Sequence, residues 1–304
     1  MTGSTTAHPG GTYRLGNHHV SRIGFGAMAL ERLEHDRAAG QRLLRQAIAL
    51  GVDHIDTADF YGDSVANEII RSAVLPGENV VIATKVGAVR SAGGPLPLRP
   101  AQHPHELRAS VEDNVRTLGR DRLDVVNLRR LDDARPGRGM RAEGDQLVDL
   151  DDQLAVMVAM RDEGLIGAIG VSGVDAAGLR RAIPAGIVCV QNDFSLVSRH
   201  NEDLLEICTA EGIAWVPFFP LGSAFPHLPK VAEQPEVKAA AARLGATPSQ
   251  IGLAWLLGHA PNTLLIPGTS NGEHLAENVA VGEIVLDAET TAELDALWSR
   301  RFEE

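Results

Sequence analysis

Eight short runs of apolar and β-branched residues recur along this 304-residue chain, each followed by a longer stretch. They are RIGFGAM from Arg22, VDHID from Val52, VVIATK from Val80, LDVVNLR from Leu123, IGAIGVS from Ile166, IVCVQND from Ile187, IAWVPFF from Ile213 and TLLIPGT from Thr263. Between them, Leu43, Leu44, Ala47 and Ile48 share one helical face, as do Leu107, Val111, Val115 and Leu118, and then Leu150, Leu154 and Val158. Thr247, Pro248 and Gln250 spell a capping-box start, with Gly258 as the expected stop. Strand then helix, eight times over, predicts an α/β fold, a parallel (β/α)8 TIM barrel. The doubly wound alternative would bring a G-x-G-x-x-G turn, and neither that nor a G-x-x-x-x-G-K-[ST] loop occurs. The short Gly24-Phe25-Gly26 instead predicts a backbone passing close to a ligand or another strand.

Ahead of the first run, TYRL and VSRI flank Gly16, Asn17, His18 and His19, which predicts an N-terminal β-hairpin with the paired histidines in its turn and no metal site. Residues 1–11 read as a disordered tail and residues 12–304 as a single barrel domain, since no low-complexity linker divides the chain. A formal charge of −12 without a basic cluster disfavours nucleic acid and anionic membrane as partners. Cys189 and Cys208 read as two packing thiols in a reduced cytoplasm. The opening MTGSTTAHPGG lacks the pattern of a signal peptide, and no stretch reaches membrane-spanning length. Nothing in the sequence specifies an oligomeric state.

In a (β/α)8 barrel the active site lies at the carboxyl ends of the strands. Asp56 ends the second run, Tyr61 follows five residues later, and Lys85 ends the third. A phenol beside an ammonium can hand a proton to a carbonyl oxygen, because the positive charge favours the phenolate left behind. On the fourth run Val125, Asn127 and Arg129 share the inward face, which brings a polar pair to the same mouth. Ser172 and Gln191-Asn192 end the fifth and sixth runs, either to hold a flat amide or to cap the helices that follow. Phe218-Phe219 offers a ring for stacking or for packing. Thr269, Ser270 and Asn271 precede a helix with His274 one turn in, an anion site in outline, with simple helix capping accounting for part of the pattern. The aperiodic stretches 87–105, 130–150 and 222–236 read as loops over the site.

The GVDHIDTADFYG stretch, the ATK strand, the QND strand end and the IPGTS segment with Glu277-Asn278 together resemble the aldo-keto reductase family, from about Tyr13 to the last helix. The resemblance implies a barrel that binds NADPH or NADP+ without a dinucleotide-binding domain and reduces a small-molecule aldehyde or ketone. It implies Tyr61 as general acid, with Asp56, Lys85 and Arg129 completing the catalytic set. For the cofactor it implies Gly26, Met28, Asp56, Ser172, Gln191, Phe218, Phe219, Leu221, Pro267, Gly268, Thr269, Ser270, His274, Glu277 and Asn278. Three positions depart from the family pattern: its strand-four histidine is Arg129, the asparagine after Ser172 is Gly173, and the basic residues around the cofactor's 2′-phosphate fall on Gly268 and His274. NADH is therefore not excluded. The text LDVVNLR, VPFFPLG and LLIPGTS is most similar to the branch of bacterial pyridoxal reductases, which implies pyridoxal or a similar small aromatic carbonyl as substrate. Two other readings stay open: a lyase forming a Schiff base on Lys85, and a non-catalytic NADP(H)-sensing module.

Overall fold

The computed structural model describes residues 8–91, 97–132, 140–222 and 229–299. Strands β1 (Thr12–Leu15) and β2 (His18–Ser21) pair antiparallel around the two-residue turn Gly16-Asn17, with Gly16 at φ +63°. The hairpin is as expected, but His18 and His19 open β2 and are not in the turn. Two residues suffice because Gly16 adopts the left-handed conformation that a tight hairpin needs.

Three strands follow in parallel, β3 (Phe25–Gly26), β4 (His54–Asp56) and β5 (Val81–Val86). A separate antiparallel hairpin, β6 (Ala88–Arg90) with β7 (Leu98–Pro100), occupies part of the stretch expected to be loop. The pattern was hidden because Pro97 and Pro100 read as strand breakers, yet prolines are admitted at edges and strand ends. The parallel sheet continues with β8 (Leu123–Arg129), β9 (Ile166–Ser172), β10 (Ile187–Gln191) and β11 (Ala214–Trp215), in the order β11-β10-β9-β8-β5-β4-β3.

The eighth run closes the barrel without becoming a strand. Its residues make isolated parallel bridges to both edges, Trp215↔Thr263 and Ile23↔Leu265. Leu264 N–H bonds to Trp215 O and Gly24 N–H to Leu265 O, each at 2.8 Å. Beyond Leu265 the bonding is one-sided, since Gly26 N–H reaches Pro267 O at 3.3 Å but Pro267 has no N–H to return, and the backbones of Gly26 and Gly268 come so close that a Cβ on Gly268 would lie 2.6 Å from Gly26 O. Gly24 likewise packs against the buried His54 ring. The close approach expected of the Gly-Phe-Gly segment is made by Gly26 to the eighth run and by Gly24 to β4.

Ten helices are described: α1 (Arg37–Ala49), α2 (Val65–Ala73), α3 (Pro104–Leu118), α4 (Leu150–Asp162), α5 (Ala176–Ala182), α6 (Glu202–Glu211), α7 (Pro235–Leu244), α8 (Pro248–His259), α9 (Gly272–Ala280) and α10 (Ala288–Ser299). The predicted stripes face the sheet, except that Met157 and Met160 join Leu150 and Leu154 in burying α4 while Val158 stays partly exposed. The Thr247 capping box forms with both of its hydrogen bonds. Gly258, expected as the stop, lies inside the last turn of α8. The helix ends at Ala260, whose backbone is extended because Pro261 disfavours helical geometry in the residue before it.

Two apolar layers result. Leu43, Ile55, Val126, Leu107, Trp255 and many others fill the space between sheet and helices. Inside the barrel, Val81, Ala83, Val125, Cys189, Ala214, Val216 and Leu264 pack on Leu15 and Val20, so the hairpin plugs the amino-terminal end. The expected tail is shorter than eleven residues: Ile23 N–H bonds to Pro9 O, Arg22 N–H to Gly11 O, and the His8 Nδ1 lies 3.1 Å from Ser21 Oγ. Residues 1–7 lie outside the described set. Both cysteines are buried free thiols, and burial pushes the Cys208 thiol up to about 12 and Cys189 higher still. No helix among the described residues is long and apolar enough to cross a membrane.

Candidate active site

At the carboxyl mouth of the barrel, parallel register sets Asp56 opposite Ala83 and Lys85 opposite Asn127. Strand alternation turns Asp56, Lys85 and Arg129 inward, above the apolar plug. The Lys85 ammonium donates to Asp56 Oδ1, with which it is ion-paired, and to Thr57 O at 2.9 Å. It also lies 5.2 Å from the centroid of the Tyr61 ring. Burial by itself would lower the Lys85 pKa, but the Asp56 carboxylate and hydrogen bonding to Asp56 and Tyr61 more than offset it, so the net shift is upward. Lys85 is thus a held cation and a poor nucleophile.

Tyr61 lies, as expected, in the turn beyond the Asp56 strand. Tyr61 N–H bonds to Ala58 O and Ala66 N–H to Tyr61 O, and the next three residues, Gly62, Asp63 and Ser64, all have positive φ. Ser64 Oγ and Thr117 Oγ1 both donate to Asp59 Oδ1, which fixes the turn to α3. Behind it, Thr57 Oγ1 donates to Asn67 Oδ1 at 2.8 Å, Asn67 Nδ2 to Asn114 Oδ1 at 3.1 Å, and Thr84 Oγ1 to Asn114 Oδ1 at 2.6 Å. This buried polar network binds the segment after Asp56 to the strand that carries Lys85.

Gln191 Nε2 donates to Asp56 Oδ2 at 2.6 Å, while its Oε1 is buried without a hydrogen-bond partner. Buried acceptors are normally paired. An orphan acceptor here fits a bound amide N–H, the group that a nicotinamide carboxamide would bring. Neither Ser172 nor Gln191 caps a helix, since α5 starts behind Asp175 and α6 behind Asn201. Asn192 is structural: its Oδ1 accepts from the N–H groups of Gly173 and Val174.

The polar pair expected on β8 divides. Asn127 lies one layer down, donating to Thr84 O at 3.3 Å and accepting from Cys189 Sγ. Arg129 reaches the mouth, its guanidinium carbon 5.7 Å above the Phe60 ring, and Phe60 meets Tyr61 edge-on at 5.2 Å. Burial pulls the Arg129 guanidinium below its usual pKa, and the facing Tyr61 partly restores it. Gln102, which sequence reasoning missed, donates from Nε2 to Gly87 O at 2.6 Å and to Arg129 O at 2.9 Å. Gly87 has φ +107°, and a side chain there would strike Arg129 O. Gln153 in turn donates to Gln102, and Arg130 to Gln153.

The remaining candidates form the rim. Gly26 N–H bonds to Pro267 O at 3.3 Å, which joins Gly26, Pro267 and Gly268 in one segment. Met28 is about half exposed (49%) just beyond Gly26. Phe218 and Phe219 stand edge-to-face at 5.2 Å, Phe219 with φ +54° and 39% exposed. Leu221 accepts from Val231 N–H in the loop that follows. Thr269 is buried, and Ser270 lines an open cleft of about 630 Å³ together with Gln46, Asn271, Gly272, Glu273 and Ala276. The anion site expected at α9 is narrower than the sequence implied: Asn271 Oδ1 accepts from the N–H groups of Glu273 and His274, and Thr269 Oγ1 from Asn271 N–H. The cap consumes donors that were expected to be free. His274 is exposed, while Glu277 and Asn278 are half-buried on α9.

The sequence profile of the Aldo/keto reductase family matches residues 22–299. The chain belongs to this family. As an aldo/keto reductase it is an oxidoreductase, and the closed (β/α)8 barrel is the fold it shares with solved members. It is 43% identical to Pyridoxine 4-dehydrogenase of Escherichia coli (strain K12) over 94% of this chain and 98% of that one. An uncharacterised oxidoreductase of Schizosaccharomyces pombe is 36% identical, covering 95% of this chain and 90% of its own. Among solved structures, an aldo-keto reductase from Klebsiella pneumoniae in complex with NADPH superposes with a TM-score of 0.78 at 26% identity, over 95% of each chain.

Proposed function

We propose that this aldo/keto reductase uses NADPH to reduce pyridoxal to pyridoxine, or a similarly small aromatic aldehyde to its alcohol. The observation that carries the reading is Lys85, an ammonium held between Asp56 and Tyr61 at the barrel mouth. The relative named Pyridoxine 4-dehydrogenase, alike over nearly its whole length, supports the substrate, and the NADPH complex of the Klebsiella pneumoniae neighbour supports the cofactor.

Once bound, the reduced nicotinamide supplies a hydride to the carbonyl carbon. The chain's own part is to hold it and to manage the proton. Gln191 Oε1, with Ser172 beside it at the end of β9, would take the carboxamide. Phe218 would supply an aromatic face, and the Thr269–Asn278 segment the far end of the cofactor. Tyr61 Oη gives its proton to the carbonyl oxygen as negative charge develops there. The phenolate so formed sits beside the Lys85 ammonium and faces Arg129, two fixed positive charges that need no rearrangement to stabilise it. Bulk solvent then returns a proton to Tyr61.

A lyase reading needs Lys85 as a free amine, and its charge, its two hydrogen bonds and its raised pKa all count against that. The test is NADPH oxidation by the purified chain with pyridoxal and a panel of simple aryl aldehydes, and the same assay on Tyr61→Phe. A loss of about 10²-fold or more in kcat is expected for that variant. No turnover of any aldehyde by the unaltered chain would defeat the proposal.

A further inference from the structure

Arg129 and Arg130 are adjacent at the end of β8, and the fold treats them oppositely. Arg130 is fully engaged: Nε donates to Asp132 at 3.2 Å, Nη2 pairs with the same carboxylate, and Nη1 donates to Val148 O at 2.9 Å and to Gln153. The Arg129 guanidinium has no hydrogen-bond acceptor and no carboxylate partner among the described residues. It is half-buried, spread over the Phe60 ring and facing Tyr61. A guanidinium carries five N–H donors and stays charged in proteins, and one that stands half-buried at the site mouth without a protein acceptor is free to be completed by a ligand. The ligand group that suits it is an anion or a set of oxygen acceptors.

Two features limit what that anion is. The wall next to Arg129 is apolar and partly aromatic, with Phe60, Leu131, Ala88 and Ala142 clustered against Tyr61, which suits a flat ring better than a small acid. Arg129 also faces the same phenol that protonates the carbonyl oxygen, so the anion it meets lies close to that oxygen. The planar fork of a guanidinium bridges two oxygens lying side by side. On an aryl aldehyde, the atom beside the carbonyl oxygen is a substituent on the neighbouring ring carbon.

We infer that Arg129 is a specificity-determining residue that recognises an ionised hydroxyl ortho to the aldehyde, so that the preferred substrates are ortho-oxyanion aryl aldehydes, pyridoxal among them. The inference rests on the carbonyl-reductase reading and narrows it. The substitution of an arginine for the family histidine then has a purpose beyond tuning Tyr61.

The test measures kcat and KM with NADPH for 2-hydroxybenzaldehyde, 4-hydroxybenzaldehyde and benzaldehyde, in the unaltered chain and in Arg129→Met and Arg129→Lys. Differences in intrinsic reactivity cancel when each variant is divided by the unaltered chain. The 2-hydroxy compound should be favoured by roughly tenfold or more in kcat/KM, chiefly through KM, as expected for a charge-assisted hydrogen bond. That preference should grow as pH rises through ionisation of the hydroxyl, vanish in Arg129→Met and survive in part in Arg129→Lys. Melting of Arg129→Met should be unchanged or higher, because no partner is left unpaired. Turnover without ortho preference, a preference retained in Arg129→Met, or a sharp fall in its melting temperature would each overturn the inference while leaving carbonyl reduction standing. Turnover of none of the three aldehydes would overturn the carbonyl-reductase reading and this inference with it.

Discussion

Gln191 and Asp56 meet across the barrel mouth at 2.6 Å, on the carboxylate oxygen opposite the one that Lys85 occupies. One side chain thereby steers the Asp56–Lys85 pair while keeping its own Oε1 buried and unpartnered. In the proposed reaction, cofactor position and proton chemistry would share a single amide.

Gln191→Glu should consequently be worse than Gln191→Ala. The alanine removes a donor and an acceptor, which should weaken NADPH binding on the order of tenfold. The glutamate sets a second carboxylate against Asp56, and like charges at that distance favour a shared proton. Its activity should therefore recover as pH falls below neutrality, whereas the alanine variant should show no such recovery. Fluorescence titration with NADPH and a pH series of kcat/KM check both; parallel profiles would dissociate Gln191 from Asp56.

Lys85→Met should lower kcat by about 10²-fold or more and destabilise the fold by about 3–5 kcal/mol, because Asp56 is left as a buried charge without its cation. The sign of the pH effect follows from the raised Lys85 pKa. A cation favoured in the folded state stabilises fully below the unfolded lysine value of about 10.4 and loses that contribution as pH rises through the higher folded value. Urea denaturation of the unaltered chain should therefore show no lysine-dependent loss near neutrality and a loss at strongly alkaline pH that Lys85→Met lacks.

Gly62→Ala tests the turn that carries Tyr61. Gly62 has φ +64°, and a Cβ there would lie 2.9 Å from the Cβ of Glu31 and 3.0 Å from that of Val65. Both conformation and space oppose a side chain, so the cost should be about 1–3 kcal/mol. Because the displaced backbone holds the phenol proposed as the proton donor, kcat should fall more than NADPH affinity. Melting temperature and single-turnover rate measure the two effects separately.

Much of the architecture was legible because it depends on period. Alternation places Asp56, Lys85 and Arg129 on inward faces, and a 3.6-residue repeat marks the helices that cover them. What was not legible depends on partners distant in the chain. The eighth run joins both sheet edges through a few bonds, too few to make a strand. The β6–β7 hairpin was masked by its prolines. Asn67, Gln102, Asn114 and Gln153 are polar residues that a sequence reader assigns to the surface, and each is buried because its partner lies tens of residues away. At α9 both readings of the sequence pattern apply in part: Asn271 serves as the helix cap, its side chain bonding the helix's own first amides.

The Asn67–Asn114 pair should prove as costly to disturb as the Asp56–Lys85 ion pair. Asn67 Nδ2 donates to both Asn114 Oδ1 and Thr117 Oγ1, and Asn67 Oδ1 accepts from Thr57 Oγ1. Asn67→Leu conserves approximate volume but strands the Thr57 hydroxyl and removes one donor from Asn114, for an expected loss of about 2–4 kcal/mol. Asn114→Leu should cost a similar amount, since Thr84 and Asn67 both rely on its oxygen. The double variant removes both members of the central bond and should cost less than the sum of the two, by about 0.5–3 kcal/mol, because a contact cannot be lost twice. Chemical denaturation of the four proteins in the cycle measures that coupling. Strict additivity would mean that the two asparagines act independently and that Thr57 and Thr84 are anchored separately behind the Asp56–Lys85 site.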